Sequence, residues 1–274
     1  MQKSILITGC SSGIGYDAAK SLKARGWRVF ASCRKADDCK KLQAQGFESP
    51  QLDLADPASI EAGLNSVLEA TGGTLDALFN NAAYAVPGYV EDLPRDALRE
   101  SFEVNFFGTH DLTQRVIPVM RQQGHGRIVN CSSVLGFVTF PLRGAYSASK
   151  FALEGLSDTL RMEMADQGID VILIQPGPIT TKIRQNSIPH FERWIDVENA
   201  ARRTDYERLK HRLYEDRGPD PFELSPSEVS KVLVKALESP KPRAHYRVTT
   251  PTKVINLLRR VLPTSIMDRI LSKV

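Results

Sequence analysis

Ser4-Ile5-Leu6-Ile7-Thr8-Gly9-Cys10-Ser11-Ser12-Gly13-Ile14-Gly15 stands near the start of the chain, and Ile14, Ala18, Ala19 and Leu22 recur there at helical spacing. A short apolar run thus passes through a glycine-bearing turn into an amphipathic helix. Glycines let backbone approach an anion closely, and a helix N-terminus adds free N–H groups and partial positive charge. The turn reads as an anion cradle. Outward from it, β-rich runs at 27–33, 47–52, 75–80, 127–130, 170–175 and 245–249 join 4–8 in alternating with longer amphipathic stretches. That alternation predicts an α/β, Rossmann-type doubly wound parallel sheet of about seven strands with helices on both faces.

In dinucleotide-binding folds the end of the second strand selects the cofactor: an acid holds the ribose 2′-OH of NAD, a base the 2′-phosphate of NADP. Here it reads Ser32-Cys33-Arg34-Lys35, without an acid. Arg34 can grip a phosphate through two parallel hydrogen bonds, so NADP(H) is expected to be preferred over NAD(H).

The 274 residues, 42% hydrophobic and 25% charged, suit one ordinary globular domain and exclude collagen-like and disordered classes. No apolar run approaches the roughly 20 residues of a membrane span, and the first residues are too short for a signal core, so a cytoplasmic location is expected. Cys10, Cys33, Cys39 and Cys131 form no C-x-x-C pair, and the histidines show no ligand spacing; reduced thiols and no metal are expected.

The net charge of +4 belongs to the tail: residues 1–250 hold 31 basic and 31 acidic side chains, residues 251–274 five and one. A balanced body argues against a nucleic-acid partner. Residues 1–250 are read as one dinucleotide-binding and catalytic domain, with 182–224 as its substrate loop. Residues 251–274 form a basic amphipathic segment in which Val254, Ile255, Leu258, Val261 and Leu262 are flanked by Lys253, Arg259 and Arg260. Docking onto protein and peripheral membrane contact both stay open for it, the second giving a membrane-associated location.

Tyr146 and Lys150 stand at i and i+4 in a strongly helical stretch, on one face. A phenol with a pKa near 10 needs roughly 4 kcal/mol of differential stabilisation to fall by about three units, and an ammonium neighbour is one source. After Ser133 come Leu135, Phe137, Phe140 and Leu142, which predict a greasy substrate pocket; Arg143 keeps a carboxylate partner open.

Ser133 precedes Tyr146 by thirteen positions and Asn105 by forty-one; Asn80-Asn81-Ala82-Ala83 and Pro176-Gly177-Pro178-Ile179-Thr180-Thr181 complete the set. Over nearly its whole length the chain resembles the single-domain short-chain dehydrogenase/reductases. It looks most like the branch containing 17-beta-hydroxysteroid and retinol dehydrogenases and bacterial aldehyde reductases.

The resemblance implies that Gly9, Ser11, Ser12, Gly13, Ile14 and Gly15 hold the cofactor diphosphate and that Asp53 and Leu54 contact adenine. Asn80, Ala82, Pro176, Gly177, Ile179 and Thr181 would lie beside ribose and carboxamide. Tyr146 would be the general acid or base, Lys150 would hold the ribose hydroxyls and depress the tyrosine pKa, Ser133 would bind the substrate oxygen, and Asn105 would anchor a relay water. Ala83 stands where the family usually has glycine.

An NADP(H)-dependent oxidoreductase acting on a hydrophobic aldehyde, ketone or alcohol follows, of steroid, retinoid or fatty-aldehyde type, as a homodimer or homotetramer. The alternatives are a nucleotide-sugar epimerase or dehydratase, which normally carries a larger C-terminal domain, and a non-catalytic NADP-sensing protein.

Overall fold

A computed structural model describes residues 2–215, 218 and 220–272. The element order is β1 (Ser4–Ile7), α1 (Gly13–Ala24), β2 (Arg28–Ala31), α2 (Ala36–Ala44), α3 (Pro57–Thr71), β3 (Ala77–Asn80), α4 (Arg95–Phe102), α5 (Gly108–Gln123), β4 (Gly126–Cys131), α6 (Gly144–Glu163), β5 (Ile169–Gln175), α7 (Ile183–Trp194), α8 (Arg203–Tyr214), α9 (Pro226–Glu238), β6 (His245–Arg247), α10 (Thr250–Val261) and α11 (Thr264–Leu271). The strands form one parallel sheet in the order β2-β1-β3-β4-β5-β6.

Successive strand residues face opposite sides. Ile5, Ile7, Val29, Ala31 and Val129 enter one core, whereas Leu6, Phe30, Leu78, Ile128 and Val171 enter another. Burial on both faces explains why the strands read as continuous apolar runs. The chain leaves β1 for β2 on one side and returns to β3 on the other, so the connections diverge above the C-terminal ends of β1 and β3. That divergence opens a crevice where ligands of such sheets bind.

Among the described residues the sheet has six strands, not about seven. Residues 47–52 run beside β2 but make only the isolated bridges Phe30–Glu48 and Cys33–Gln51. Pro50 lies between them and has no N–H to give, which breaks the ladder there.

The segment 182–224 contains α7 and α8 around its own small core of Phe191, Tyr206 and Leu213. Its two ends meet: Thr180 N–H donates to Leu224 O at 2.9 Å and Leu224 N–H to Pro178 O at 3.1 Å. The Tyr206 hydroxyl fixes it to the body by donating to Asp92 Oδ2 at 2.6 Å and accepting from Tyr89 N at 3.0 Å. Residues 251–272 turn back onto the body, where Met267 and Leu271 join Val134, Phe137 and Val138 in one buried cluster. Among the described residues no helix is long and apolar enough to cross a membrane.

Candidate active site

A cavity of about 1040 Å³ opens at the divergence point. Its floor is the first glycine turn. Gly9 and Gly13 hold φ of +72° and +60°, a region that penalises side chains. A Cβ at Gly9 would stand 2.8 Å from Ala82 Cα, and one at Gly15 would stand 2.5 Å from Gly9 O, so strand ends and helix close only on hydrogen.

Ser11, Ser12, Gly13 and Ile14 line the cavity. The Ser12 side chain makes no capping bond and the first turn of α1 holds no acid, so its N–H groups and positive end remain open to an anion.

Thr8 and Asn81 lock the two diverging loops together. Thr8 Oγ1 accepts from the N–H groups of Asn81 at 2.9 Å and Ala82 at 3.0 Å, while Asn81 Nδ2 donates to Thr8 O at 2.9 Å. Asn80, expected beside the ribose, turns the other way and donates to Thr113 Oγ1 at 2.9 Å and Asn130 Oδ1 at 2.8 Å. Asn81 and Ala82 line the cavity instead. Ala83 takes the family's glycine position without a left-handed backbone: among described non-glycine residues only Leu142 and Phe222 have positive φ.

Pro176, Gly177, Ile179 and Thr181 form the opposite wall. A Cβ at Gly177 would collide with Thr249 Oγ1, so this wall rests directly on the N-cap of α10. Arg34, Asp53 and Leu54 lie outside the cavity, past the end of β2. Arg34 is exposed, its carbonyl accepting from Gln51 Nε2 at 3.0 Å. Asp53 Oδ1 accepts from Ala55 N at 3.0 Å, and Leu54 is buried in the core.

Helix α6 delivers Tyr146 and Lys150 to the cavity from one face, both buried. Lys150 Nζ donates to Cys131 O at 2.8 Å and stands 5.6 Å from the Tyr146 ring centroid. Ser133, just beyond β4, lines the cavity with them, and its Oγ accepts from Leu135 N at 3.1 Å.

Asn105 sits behind, in a π-helical turn (Glu103–Phe107) between α4 and α5, a distortion common at functional sites. Its Oδ1 accepts from Tyr84 N at 3.1 Å, and its Nδ2 donates to Tyr84 O at 2.9 Å and Ser149 Oγ at 3.2 Å. Asn105 thereby ties the loop after β3 to the turn carrying Lys150.

Burial dominates the electrostatics. It raises the Tyr146 pKa, the Cys131 thiol adding to the rise and Ser133 opposing it. Burial of the polypeptide site therefore favours the protonated phenol. Burial also lowers the Lys150 pKa, with Cys131 and Glu154 pulling it back.

Of the four residues expected to contact substrate, only Leu135 lines this cavity. Phe137 is buried against the C-terminal helices, and Phe140 and Leu142 line a separate groove of about 730 Å³ with Tyr89 and Phe151. Sequence reasoning missed Asn81, although alternation of side chains along an extended segment separates it from Asn80. It also missed Arg184 and Arg212, which meet in the cavity wall with no local motif to mark them.

The family model for short chain dehydrogenases matches residues 3–191. An oxidoreductase of Escherichia coli, YbbO, is 42% identical over 99% of this chain and 94% of its own length. An NADPH-dependent 3-dehydrocapnine reductase of Ornithobacterium rhinotracheale is 31% identical over 98% of this chain and 95% of its own, and bovine retinol dehydrogenase 8 is 30% identical over 96% and 86%. Among solved structures, a short-chain dehydrogenase from Streptomyces avermitilis superposes with a TM-score of 0.78 at 28% identity, covering 95% of this chain and 94% of that one. With this sheet, this glycine turn and this tyrosine–lysine pair, the chain belongs to the short-chain dehydrogenase family of oxidoreductases.

Proposed function

We propose that the protein is an NADP(H)-dependent oxidoreductase that interconverts a hydrophobic aldehyde or ketone and its alcohol. The observation that carries this reading is the convergence of Ser133, Tyr146 and Lys150 on one cavity whose other end is the open N-terminus of α1. The site fits a dinucleotide: its glycine turn lines the cavity beside the open N-terminus of α1, and Arg34 follows β2 in a stretch, 32–35, without an acid. The reductase of Ornithobacterium, NADPH-dependent by name, is consistent with that choice.

When bound, NADPH supplies the hydride and NADP⁺ accepts it. The chain itself does the rest. Ser133 Oγ donates to the substrate carbonyl oxygen and stabilises the charge that develops there. Tyr146 gives that oxygen its proton during reduction and takes it back during oxidation. Lys150, fixed through Cys131 O, presents its positive charge to the phenol and its remaining N–H donors to ribose hydroxyls. Leu135 and Ile179 provide apolar wall.

The test is loss of NADPH absorbance against aliphatic, aromatic, steroid and retinoid carbonyls, with NADH as control. Turnover of apolar carbonyls with NADPH is expected. Tight NADPH binding without turnover of any carbonyl, or oxidoreduction that needs no added cofactor, would overturn the reading.

A further inference from the structure

The cavity that holds Tyr146 has a second, strongly basic group in its wall. Arg143 lies one turn before Tyr146, and Arg184 of α7 and Arg212 of α8 come from the covering segment; all three line the cavity. They share one carboxylate. Arg184 Nη2 reaches Asp220 Oδ2 at 2.7 Å and Arg212 Nη2 reaches the same oxygen at 3.1 Å. Arg212 Nε is buried without an acceptor among the described residues, and half-buried Arg143 is influenced by Asp220 less than by the guanidiniums of Arg212 and Arg184.

Among the described residues the other acids lining the cavity have partners: Glu223 Oε2 accepts from the Asp220 backbone N–H at 2.7 Å, and Glu215 pairs with His211. Burial first, then the guanidiniums of Arg212 and Arg184, pull the Arg143 pKa down to about 10, with Asp220 opposing them. A partly dehydrated guanidinium flanked by two others is poorly compensated, and an oxyanion that accepts from the group offsets that cost.

We propose that Arg143, Arg184 and Arg212 form the recognition site for an oxyanion at the far end of the substrate. The substrate class is then an amphipathic carbonyl compound or alcohol that carries a carboxylate, phosphate or sulfonate. This deepens the proposed function and rests on it. The apolar wall takes the chain of such a molecule, Tyr146 and Ser133 its reacting oxygen, and the arginines its charged head. Arg143, which caps the N-terminus of α6, and Tyr146 of its first turn both line the cavity.

The test measures binding of decanoate, decyl phosphate, decyl sulfonate and decanol to the full chain saturated with NADP⁺, by titration calorimetry. At least one anion is expected to bind ten-fold or more tightly than decanol, and the strongest anion identifies the head. Arg143→Gln and, independently, Arg184→Gln are expected to bring that ratio close to one. Decanol binding as tightly as every anion, variants that keep the preference, or variants that weaken only NADPH binding would each overturn the site.

In parallel, 10-oxodecanoate should exceed decanal in kcat/KM, and Arg143→Gln should erase the difference; an unchanged difference counts against the site. If no carbonyl is reduced at all, the proposed function fails while the decanoate titration still decides the oxyanion site.

Discussion

Lys150 Nζ donates to the carbonyl of Cys131 at 2.8 Å, so the lysine of α6 is anchored to the last residue of β4. One strand end therefore fixes two parts of the site, because Ser133 follows Cys131 by two residues. Asn105 braces the same turn from behind through Ser149. The arrangement is held by backbone and buried amides, which restricts how far the tyrosine, the serine and the lysine can drift apart.

Burial of the same tyrosine sets the pH behaviour. Reduction needs the protonated phenol, a form present below the folded pKa and lost as pH rises through it. Burial raises the Tyr146 pKa, so the reductive kcat/KM should stay flat from about pH 6 to about pH 9, below the ordinary phenol value near 10. Oxidation needs the phenolate and should climb with pH over the same interval. Tyr146→Phe should lower kcat roughly 10²–10⁴-fold in both directions while NADPH binding persists. A reductive profile that falls with a midpoint near neutrality would contradict this assignment.

Cofactor choice rests on a different residue. The exposed guanidinium of Arg34 lies past the end of β2, where the 2′-substituent of the adenosine ribose is recognised in such sheets. Removing a charge-assisted contact costs about 1.5–3 kcal/mol. Arg34→Asp should therefore raise the NADPH KM about 10–100-fold and improve NADH use. The check is the ratio of kcat/KM values for the two cofactors, and a wild-type ratio near one would remove the premise.

The first strand, glycine turn and first helix were legible because they depend on contiguous pattern, and so was the Tyr146–Lys150 pair. Residues 47–52 had the composition of a strand, yet Pro50 interrupts pairing within it. Phe137 looked like pocket because apolar side chains near Ser133 have two cores available, and sequence does not say which the C-terminal helices will cover. The arginine group was invisible for a related reason. Its members come from three separate segments, brought together where the chain returns from Leu224 to Thr180 and where Tyr206 ties α8 to Asp92.

The thiols give a test of burial that is independent of turnover. Cys10, Cys33, Cys39 and Cys131 are all buried and free. Burial pushes the Cys33 thiol up to about 12 and Cys131 up to about 11, and raises Cys10 as well. Near pH 8 the thiolate fraction of Cys131 is on the order of 10⁻³. Ellman's reagent should titrate the native protein at a small fraction of the rate seen in denaturant, where all 4 cysteines react. Rapid native reaction of even one thiol would show that the sheet ends are more open than described.

The C-terminal segment makes the last prediction, and its two readings diverge sharply. Met267 and Leu271 cover Val134, Phe137 and Val138, the residues immediately after Ser133, while Val254, Leu257 and Val261 face outward. If the inward contacts matter, residues 251–274 are part of the active-site support. Burying each such side chain contributes about 1.5–3 kcal/mol, against a total stability of about 5–15 kcal/mol. Deleting 251–274 should then lower Tm by many degrees and reduce kcat together. Leu271→Ala should cost about 2–5 kcal/mol and shift Tm in the same direction. A segment acting only as a membrane anchor predicts the reverse: unchanged Tm and kcat in solution, with loss of co-sedimentation on anionic liposomes. Melting curves and liposome pelleting on the same deletion variant separate the two, because the buried cluster acts whether or not a membrane is present.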